Sequence, residues 1–351
     1  MSVKKWLKIY LIFIILFTTI IVFINYLIDP HWSFLHQNSL NQIQTPFNER
    51  QQKTNRVYFY GLERYDGILF GSSRTTFINQ NDFSDMNIYN YALDSIYPFE
   101  YRGYLNFAKK IHGRDFKYII IGADFYNTKK PNNLKFENPS FYINNSKSLL
   151  YRYKMLFSID SLIKSIENIE SNISKKPSIY YNRDNIKFRP KVSEDERKIA
   201  YKKHLKVHLD GFIGAQYEKN MDYIKILKEL KKSNPNTKFI IFTSPISANL
   251  LVSMLKKGEK IDDFKTWLRD MINVFGEINH FMTINSITKN LQNYPDDDHF
   301  YPYIGKFLAH KISQKKITNI PNDFGIVLNR DNIDDYLRSF EKELEKFKIK
   351  E

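Results

Sequence analysis

One uncharged and strongly apolar segment near the start of the chain constrains the fold more than any other feature. From Trp6 the sequence runs WLKIYLIFIILFTTIIVFINYLI to Ile28, and no charged residue lies between Lys8 and Asp29. A helix of about 20 such residues spans the ~30 Å hydrocarbon core of a bilayer. We therefore predict that residues 1–30 form an N-terminal transmembrane anchor.

The flanks of this segment favour an uncleaved anchor over a cleaved signal peptide. Trp6, Tyr10, Tyr26 and Trp32 lie near its ends, and aromatic side chains are enriched at membrane interfaces. The apolar region is long for a signal peptide, and no A-x-A-like cleavage site follows it. Lysines precede the span, which predicts a cytoplasmic N-terminus. We expect a single-pass protein of the cell membrane whose folded domain is extracytoplasmic, either periplasmic or extracellular.

Composition excludes several classes of protein. The 351 residues include 53 Lys and Arg against 38 Asp and Glu, a net charge of +15, and no Cys. The lack of Cys excludes a disulfide framework, a Cys-based zinc site and a Cys nucleophile. The charge either attracts anionic polymers, lipids or nucleic acid, or is spread evenly without a site, since no dense Lys/Arg block occurs. An exterior domain argues against nucleic acid as a partner.

After the anchor, residues 31–60 read as a polar stalk and residues 61–330 as one α/β domain. Strands are predicted at 65–73, 86–93, 116–125, 236–245 and 279–286, and helices at 99–111, 221–234, 264–278 and 303–316. This alternation favours a doubly wound parallel sheet. The polar residues 130–220 interrupt it and predict an insertion, either a lid or a packing appendage. Residues 331–351 predict a charged, solvated C-terminal helix.

Three short motifs carry side chains suited to chemistry. GSSR at 71–74 follows the first strand, where open α/β sheets bind ligands and free N–H groups can stabilise an oxyanion, although small residues also make ordinary turns. PDDDHFYP at 295–302 contains a D-x-x-H pair that can orient an imidazole towards a nucleophile. An acidic surface turn and a metal loop are its alternatives. GADFYN at 122–127 places Asp124 at a strand end, where Asp often caps a helix.

The order and placement of these motifs resemble those of the SGNH (GDSL-like) hydrolase family. GSS at 71–73 takes the place of the family's G-D-S, which makes Ser73 the nucleophile, and Asp296 and His299 match its late D-x-x-H pair. The resemblance implies a flavodoxin-like three-layer α/β/α sandwich. It also implies that His299 accepts the Ser73 proton while Asp296 holds the imidazole, so that an acyl-serine intermediate forms. We expect no cofactor and no metal.

The two middle blocks of the family depart from its pattern here. NYALDS at 90–95 resembles N-x-x-x-x-G, with Asn90 retained and Ser95 where glycine is usual. IIIGAD resembles G-x-N, with Asp124 replacing the Asn donor. Because an ionised carboxylate would repel an oxyanion, Asp124 is either protonated by burial, absent from the hole, or engaged elsewhere, such as orienting Arg74. Arg74 either binds an anionic substrate or anchors the turn. The resemblance thus assigns Arg74, Asn90, Ser95 and Asp124 to the oxyanion or substrate-binding site.

The combination of anchor, GSSR and polar insertion is more similar to the family's envelope branch than to secreted lipases. That branch includes teichoic-acid D-alanyl-transfer and polysaccharide O-acetyltransferase-like proteins. The resemblance implies an esterase or O-acyltransferase for cell-envelope glycans or glycolipids, with a membrane acyltransferase as a partner. The alternatives are a catalytically degenerate binding or scaffold component and an electrostatic binder of nucleic acid or anionic lipid. We interpret His204, His208, His280 and His310 as surface or core residues.

Overall fold

The structure is a computed structural model and describes residues 1–131, 134–175, 177–213, 217–315 and 319–349. Its helices are α1 (Val3–Ile28), α2 (Glu49–Tyr60), α3 (Pro98–His112), α4 (Pro139–Lys147), α5 (Tyr151–Leu156), α6 (Ile159–Ser174), α7 (Glu194–Val207), α8 (Tyr223–Lys232), α9 (Ala248–Lys257), α10 (Ile261–Phe275), α11 (Ser286–Lys289), α12 (Pro302–Ile312) and α13 (Ile333–Lys346). Its strands are β1 (Gly67–Phe70), β2 (Ile88–Asn90), β3 (Tyr118–Ala123), β4 (Tyr180–Tyr181), β5 (Lys187–Phe188), β6 (Lys238–Thr243), β7 (Glu277–His280) and β8 (Ile326–Asn329). Small parts of the predicted insertion (132–133, 176 and 214–216), the end of the predicted helix 303–316 and positions 350–351 of the predicted C-terminal helix lie outside the described residues.

The chain divides into two compact units. The first unit comprises Met1–Leu62 and Glu137–Pro190, and the second comprises Glu63–Phe136 and Lys191–Glu351. The predicted stalk, 31–60, therefore folds together with part of the predicted insertion, 130–220. Polar sequence suggested a solvated stalk, but residues 50–57 of α2 are all buried. The polar side chains there are satisfied inside the unit: Gln51 donates to Asn55 Oδ1 at 2.9 Å and to the carbonyl oxygen of Tyr142 at 3.1 Å.

A mostly parallel six-stranded sheet lies in the second unit, as the alternating pattern predicted. Its strand order is β2-β1-β3-β6-β7-β8, with β8 antiparallel to β7 and the other described pairs parallel. The central strands β3 and β6 are buried runs of isoleucine and phenylalanine, as expected where both faces of a sheet are covered. The carboxyl ends of β1, β3 and β6 meet at one edge of the sheet, and this edge carries the residues of interest.

Helix α1 coincides with the predicted anchor and is long and apolar enough to cross a membrane. It has 26 residues, and no charged residue follows Lys8 within it. Most of its side chains are exposed, whereas Ile21, Asn25 and Ile28 near its C-terminal end are buried. Only this end of the helix therefore packs substantially against other parts of the first unit.

The C-terminal helix α13 differs from the solvated helix that its charge suggested. Its buried residues are Ile333, Leu337, Phe340 and Leu344. The ring of Phe340 lies 5.7 Å from that of Phe264 in α10. The charged residues alternate with an apolar stripe of helical period, so α13 is an amphipathic helix packed on the second unit.

Candidate active site

Ser73 lies in a tight turn at the carboxyl end of β1. The strand ends at Phe70, Gly71 has a φ of +155°, and a 3-10 turn begins at Thr75. A Cβ on Gly71 would lie 2.2 Å from the Oγ1 of Thr75, and a Cβ on Gly122 of β3 would lie equally close to it, at 2.2 Å. Glycine at both positions lets the turn pack directly on two strand ends, which holds Ser73 at the edge where such sheets bind ligands.

Ser73, His299 and Asp296 form a hydrogen-bonded chain. The Oγ of Ser73 lies 2.9 Å from Nε2 of His299, and Nδ1 of His299 lies 3.1 and 3.2 Å from the two carboxylate oxygens of Asp296. A carboxylate at Nδ1 favours a proton there and leaves Nε2 free to accept one. Ser73 is partly exposed, and the His299 side chain is 15% exposed. The structure thus brings together the three residues predicted to be catalytic, whose catalytic role stays a prediction.

Arg74 connects the nucleophile turn to the loop that carries the histidine. Its Nε donates to the carbonyl oxygen of Asp298 at 2.9 Å, and a second guanidinium nitrogen pairs with the Asp298 carboxylate. The third lies 3.1 Å from Oδ1 of Asp124, and the guanidinium stacks 5.1 Å from the centre of the Tyr126 ring. The side chain is only 3% exposed. These contacts match the anchoring alternative for Arg74 and leave little of it available to a substrate.

Asp124, at the end of β3, is fully buried beside this guanidinium. Neither of its oxygens accepts a well-aligned hydrogen bond from the residues described, although Oδ1 lies within ion-pair distance of Arg74. Its carboxylate therefore balances the buried charge of Arg74. Of the three alternatives for Asp124, the contacts match the one in which it orients Arg74. The third block accordingly offers no side-chain N–H to an oxyanion.

Asn90 and Ser95 of the second block have different surroundings. Asn90 is fully buried, and its Nδ2 donates to the carbonyl oxygens of Thr75 at 3.1 Å and Ile78 at 2.8 Å. Its side chain therefore holds the segment that follows the nucleophile and does not face a substrate. Ser95 is half-buried with a φ of +50°, in the left-handed region that favours glycine. The chain thus keeps a glycine-type turn at Ser95 despite the substitution.

Two histidines that we interpreted as surface or core residues lie beside the triad. Nε2 of His208 is 3.0 Å from Oδ1 of Asp298. The ring of His204 meets that of His299 edge-to-face at 5.8 Å, and its nitrogens lie 3.8 Å from Asp298 and 3.9 Å from Asp296. The available sequence signal was the spacing of four residues, which places both side chains on one face of a helix. The other two, His280 and His310, are buried core residues of the second unit.

Burial and neighbouring charges shift the pKa values of Asp298 and His204 beside the triad. Burial alone would raise the pKa of Asp298, but the guanidinium of Arg74 and the ring of His208 hold that pKa well below its ordinary value. Burial lowers the pKa of His204, and the carboxylates of Asp296 and Asp298 oppose this only in part. At neutral pH Asp298 is therefore anionic, and His204, which lies in α7, is neutral.

Asp297 fixes the middle of the loop. It has a φ of +62°. One of its oxygens lies 3.1 Å from Arg197, and the other accepts a hydrogen bond from the Ser247 hydroxyl at 2.8 Å. Its carbonyl oxygen also accepts the backbone N–H of Ser247 at 2.9 Å. The three consecutive aspartates thus have three separate partners: the imidazole, the Arg197–Ser247 pair, and Arg74 with His208.

One group of side chains in the described residues has the spacing of a metal site. His204, Asp298 and His299 each bring one ligand atom within 4.8 Å of the others. Both ring nitrogens of His299 already have partners, however, in Ser73 and Asp296. A cation bound there would have to break one of these hydrogen bonds, so the metal alternative for this loop and the triad exclude each other.

No protein-family model and no curated protein matches the chain. No relative therefore supplies a function, and the resemblance to SGNH hydrolases stays a hypothesis carried by the motifs and by the geometry of Ser73, His299 and Asp296. Because one fold hosts many activities, the chemistry of the site has to carry the functional conclusion.

Proposed function

We propose that this protein is a membrane-tethered serine esterase or O-acyltransferase of the SGNH (GDSL-like) type. The observation that carries the proposal is the hydrogen-bonded chain from Ser73 through His299 to Asp296. The order β2-β1-β3-β6-β7 supports a flavodoxin-like three-layer sandwich, a fold that binds ligands at the carboxyl ends of its strands. Helix α1 supplies the membrane anchor in this proposal, with the N-terminus in the cytoplasm and the second unit outside.

The proposed reaction follows the chemistry of a serine triad. Ser73 Oγ attacks the ester carbonyl carbon while Nε2 of His299 takes the hydroxyl proton, and Asp296 stabilises the resulting imidazolium. The proposed donors to the oxyanion are the backbone N–H groups of Ser73 and Ser95. The N–H of Ser73 has no protein acceptor among the described residues. The imidazolium then protonates the departing alcohol. Water or a sugar hydroxyl, deprotonated by His299, attacks the acyl-serine and regenerates Ser73.

The proposed substrates are glycans or glycolipids of the cell envelope. An anchored domain outside the membrane works within reach of such polymers, and the net charge of +15 favours anionic ones. In the transfer version of the reaction, a membrane acyltransferase supplies the acyl group as a partner. Adding a glycan acceptor separates the two versions, because a transferase forms the acylated acceptor at the expense of the free acid.

A fluorophosphonate probe tests the proposal on the full chain in detergent micelles. We expect covalent labelling of Ser73 that is lost in Ser73→Ala and in His299→Ala. The matched control is Ser72→Ala, because Ser72 is the buried neighbour in the same turn and is not part of the hydrogen-bonded chain. Ser72→Ala should keep the labelling. Equal labelling of Ser73→Ala and the wild type would overturn the proposal.

A second function is favoured by one specific observation, the pairing of Asp124 with Arg74. A carboxylate stands where the family has an amide donor, which removes one oxyanion contact. A degenerate member of the fold would act instead as a binding or scaffold component of an envelope polysaccharide assembly. It would bind glycan while showing no Ser73-dependent hydrolysis of p-nitrophenyl acetate. Hydrolysis that disappears in Ser73→Ala would exclude this second function.

A further inference from the structure

We propose that α6, in the first unit, lies in the membrane–water interface and that lipid covers the apolar face it exposes. This α6 apolar face consists of Ile159, Ile163, Ile166 and Ile173. Their exposed fractions are 52%, 53%, 45% and 70%. The inference goes beyond the acyl chemistry and rests on one part of the proposed function, the crossing of the membrane by α1.

The side chains of α6 are arranged in the opposite way to those of a helix on a water-soluble protein. Its fully buried residues are Ser161, Ser165 and Asn168. Its isoleucines, which would each gain about 1.5–3 kcal/mol from burial, face outwards. A soluble amphipathic helix turns its apolar stripe to the core and its polar face to water. A contiguous exposed apolar face is typical of a surface that meets a membrane or another protein.

The buried polar face of α6 packs on the last turns of α1. Asn25 of α1 accepts a hydrogen bond from the Ser165 hydroxyl at 3.0 Å. Its amide nitrogen donates to the carbonyl oxygens of Leu156 at 2.9 Å and Ser158 at 3.0 Å, just before α6 begins. Helices inside membranes associate through small and polar residues of this kind, because lipid already solvates their apolar side chains. The contact between α1 and α6 therefore has the chemistry of a membrane helix pair.

The position of Asn25 along α1 sets the depth of this contact. The apolar stretch from Ile9 to Ile28 is about 30 Å long as a helix, which matches the hydrocarbon core. Asn25 lies three residues before Ile28, so its contacts lie about 5 Å inside the end of that stretch. Interfacial helices bury their apolar faces about 5–10 Å into the boundary between headgroups and acyl chains. The α6 apolar face thus continues the exposed surface of α1, where Phe23 is 62% exposed.

The apolar side of α6 carries one charged residue, the exposed Glu170, which lies one turn from both Ile166 and Ile173. Because this carboxylate has to stay among the headgroups, Ile159, Ile163 and Ile166 are the part of the face that enters the acyl-chain boundary.

Exposed Asp160 and Glu167 lie on a strip beside the isoleucines, about 60° and about 40° around the helix from Ile163. This strip suits the water side of an interfacial helix. Lys164 is paired with Glu167 at 2.8 Å, and the other charged residues of α6 are acidic. Insertion of the apolar face rather than attraction to anionic headgroups therefore has to hold α6 in place. We therefore commit to the acyl-chain boundary of the bilayer as the occupant.

The absence of cysteine from the chain allows a direct test. Single cysteines are introduced as Ile163→Cys and Ile166→Cys and labelled with a small fluorophore. The full chain is then reconstituted in phosphatidylcholine–phosphatidylglycerol vesicles whose acyl chains carry nitroxide quenchers. Phe17→Cys, in the middle of α1, reports on the span. Glu167→Cys is the matched control because it adjoins Ile166 but lies on the acidic strip. Circular dichroism checks that each variant is folded.

We expect fluorophores at positions 163, 166 and 17 to lose most of their emission to the lipid quencher and to resist aqueous iodide, whereas position 167 shows the reverse. The inference would be overturned, and the anchor left intact, if the lipid quenched the label at 17 while the labels at 163 and 166 were quenched by iodide and not by lipid. Protection from iodide without lipid quenching would also overturn it, because a second copy or another protein would then cover the face. An unquenched label at 17 would overturn both the span and the inference. Ser73 labelling is a separate reading of the acyl chemistry.

Discussion

Arg74 and Asp298 join the two segments of the site, although 224 positions separate them in the chain. Each is the sequence neighbour of a predicted catalytic residue, Ser73 in one case and His299 in the other. The guanidinium contacts both the carbonyl oxygen and the carboxylate of Asp298, so the pair fixes the position and the orientation of one segment against the other. The 2.9 Å contact between Ser73 and His299 therefore depends on a buried ion pair next to it.

Replacing Arg74 should consequently weaken both the fold and the chemistry. We expect Arg74→Gln to lower the free energy of unfolding by about 3–5 kcal/mol, because Asp298 and Asp124 would each lose a buried cation. The rate of fluorophosphonate labelling at Ser73 should fall as well. Arg74→Lys is the matched variant: it keeps the charge but loses the planar fork, so we expect an intermediate loss. Denaturant titration measures the stability. If Arg74→Gln changed neither the stability nor the labelling, Arg74 would not be the residue that fixes the two segments against each other.

Substitutions of Asp296 and Asp298 should have different effects, the first on ester turnover and the second on the free energy of unfolding. Asp296→Asn removes the anion behind the His299 ring, so we expect ester turnover to fall by a factor on the order of 10³–10⁴ with little loss of stability. Asp298→Asn removes the partner of Arg74 and His208 and should mainly lower the free energy of unfolding. Turnover of p-nitrophenyl acetate and denaturant titration measure the two effects. The opposite pattern would show that Asp298, whose Oδ2 lies 3.6 Å from Nδ1 of His299, is the residue that orients the ring.

Local patterns were sufficient to predict the sheet and the motifs at its edge. The strands around Ile120 and Ile240 are continuous apolar runs, which is how strands covered on both faces appear in sequence. The turn at Ser73 follows from glycine and small residues after such a run. These features depend on neighbours in the chain, so no long-range information was needed to find them.

The missed features depend on contacts between distant residues. Anchoring was one of the roles predicted for Arg74, but its partner Asp298 lies 224 positions away. The role of His208 depends on the same partner, 90 positions away. Strand β8 is an edge strand of 4 residues whose Ile326 and Val327 are exposed, so its apolar run is shorter than those that marked the central strands. The segment predicted as a stalk contains α2, whose buried polar side chains, such as Gln51, look solvated until their partners are known. Polar composition indicates exposure only when no partner is within reach.

Ser95 provides a test of the backbone at the second block. Its φ of +50° costs a non-glycine residue conformational energy that glycine does not pay. We expect Ser95→Gly to preserve Ser73 labelling and to change the free energy of unfolding by less than about 1 kcal/mol. Ser95→Ala is the matched control, because it removes the 3.1 Å hydrogen bond to Asp94 while keeping the strained φ. If Ser95→Gly loses labelling and Ser95→Ala behaves likewise, the side-chain hydroxyl is what the site requires.

His280 should make the stability of the second unit depend on pH. It is fully buried in β7, with Nδ1 at 2.9 Å from the Thr243 hydroxyl, and burial lowers its pKa to about 3. Above about pH 6.5 the ring is neutral in both the folded and unfolded states. Between that value and about pH 3 only the unfolded state binds the proton, so stability falls as the pH falls, by up to about 1.4 kcal/mol per pH unit from this residue.

His280→Asn should reduce that slope, because asparagine keeps a polar partner for Thr243 but takes up no proton in this range. The measurement is the free energy of unfolding of both proteins between pH 7 and pH 4. Carboxylates such as Asp298 contribute to the acid slope of both proteins, so the difference between them isolates the histidine. Parallel slopes for the wild type and His280→Asn would mean that His280 has the same pKa in the folded and unfolded states, and therefore that water reaches its ring in the folded protein.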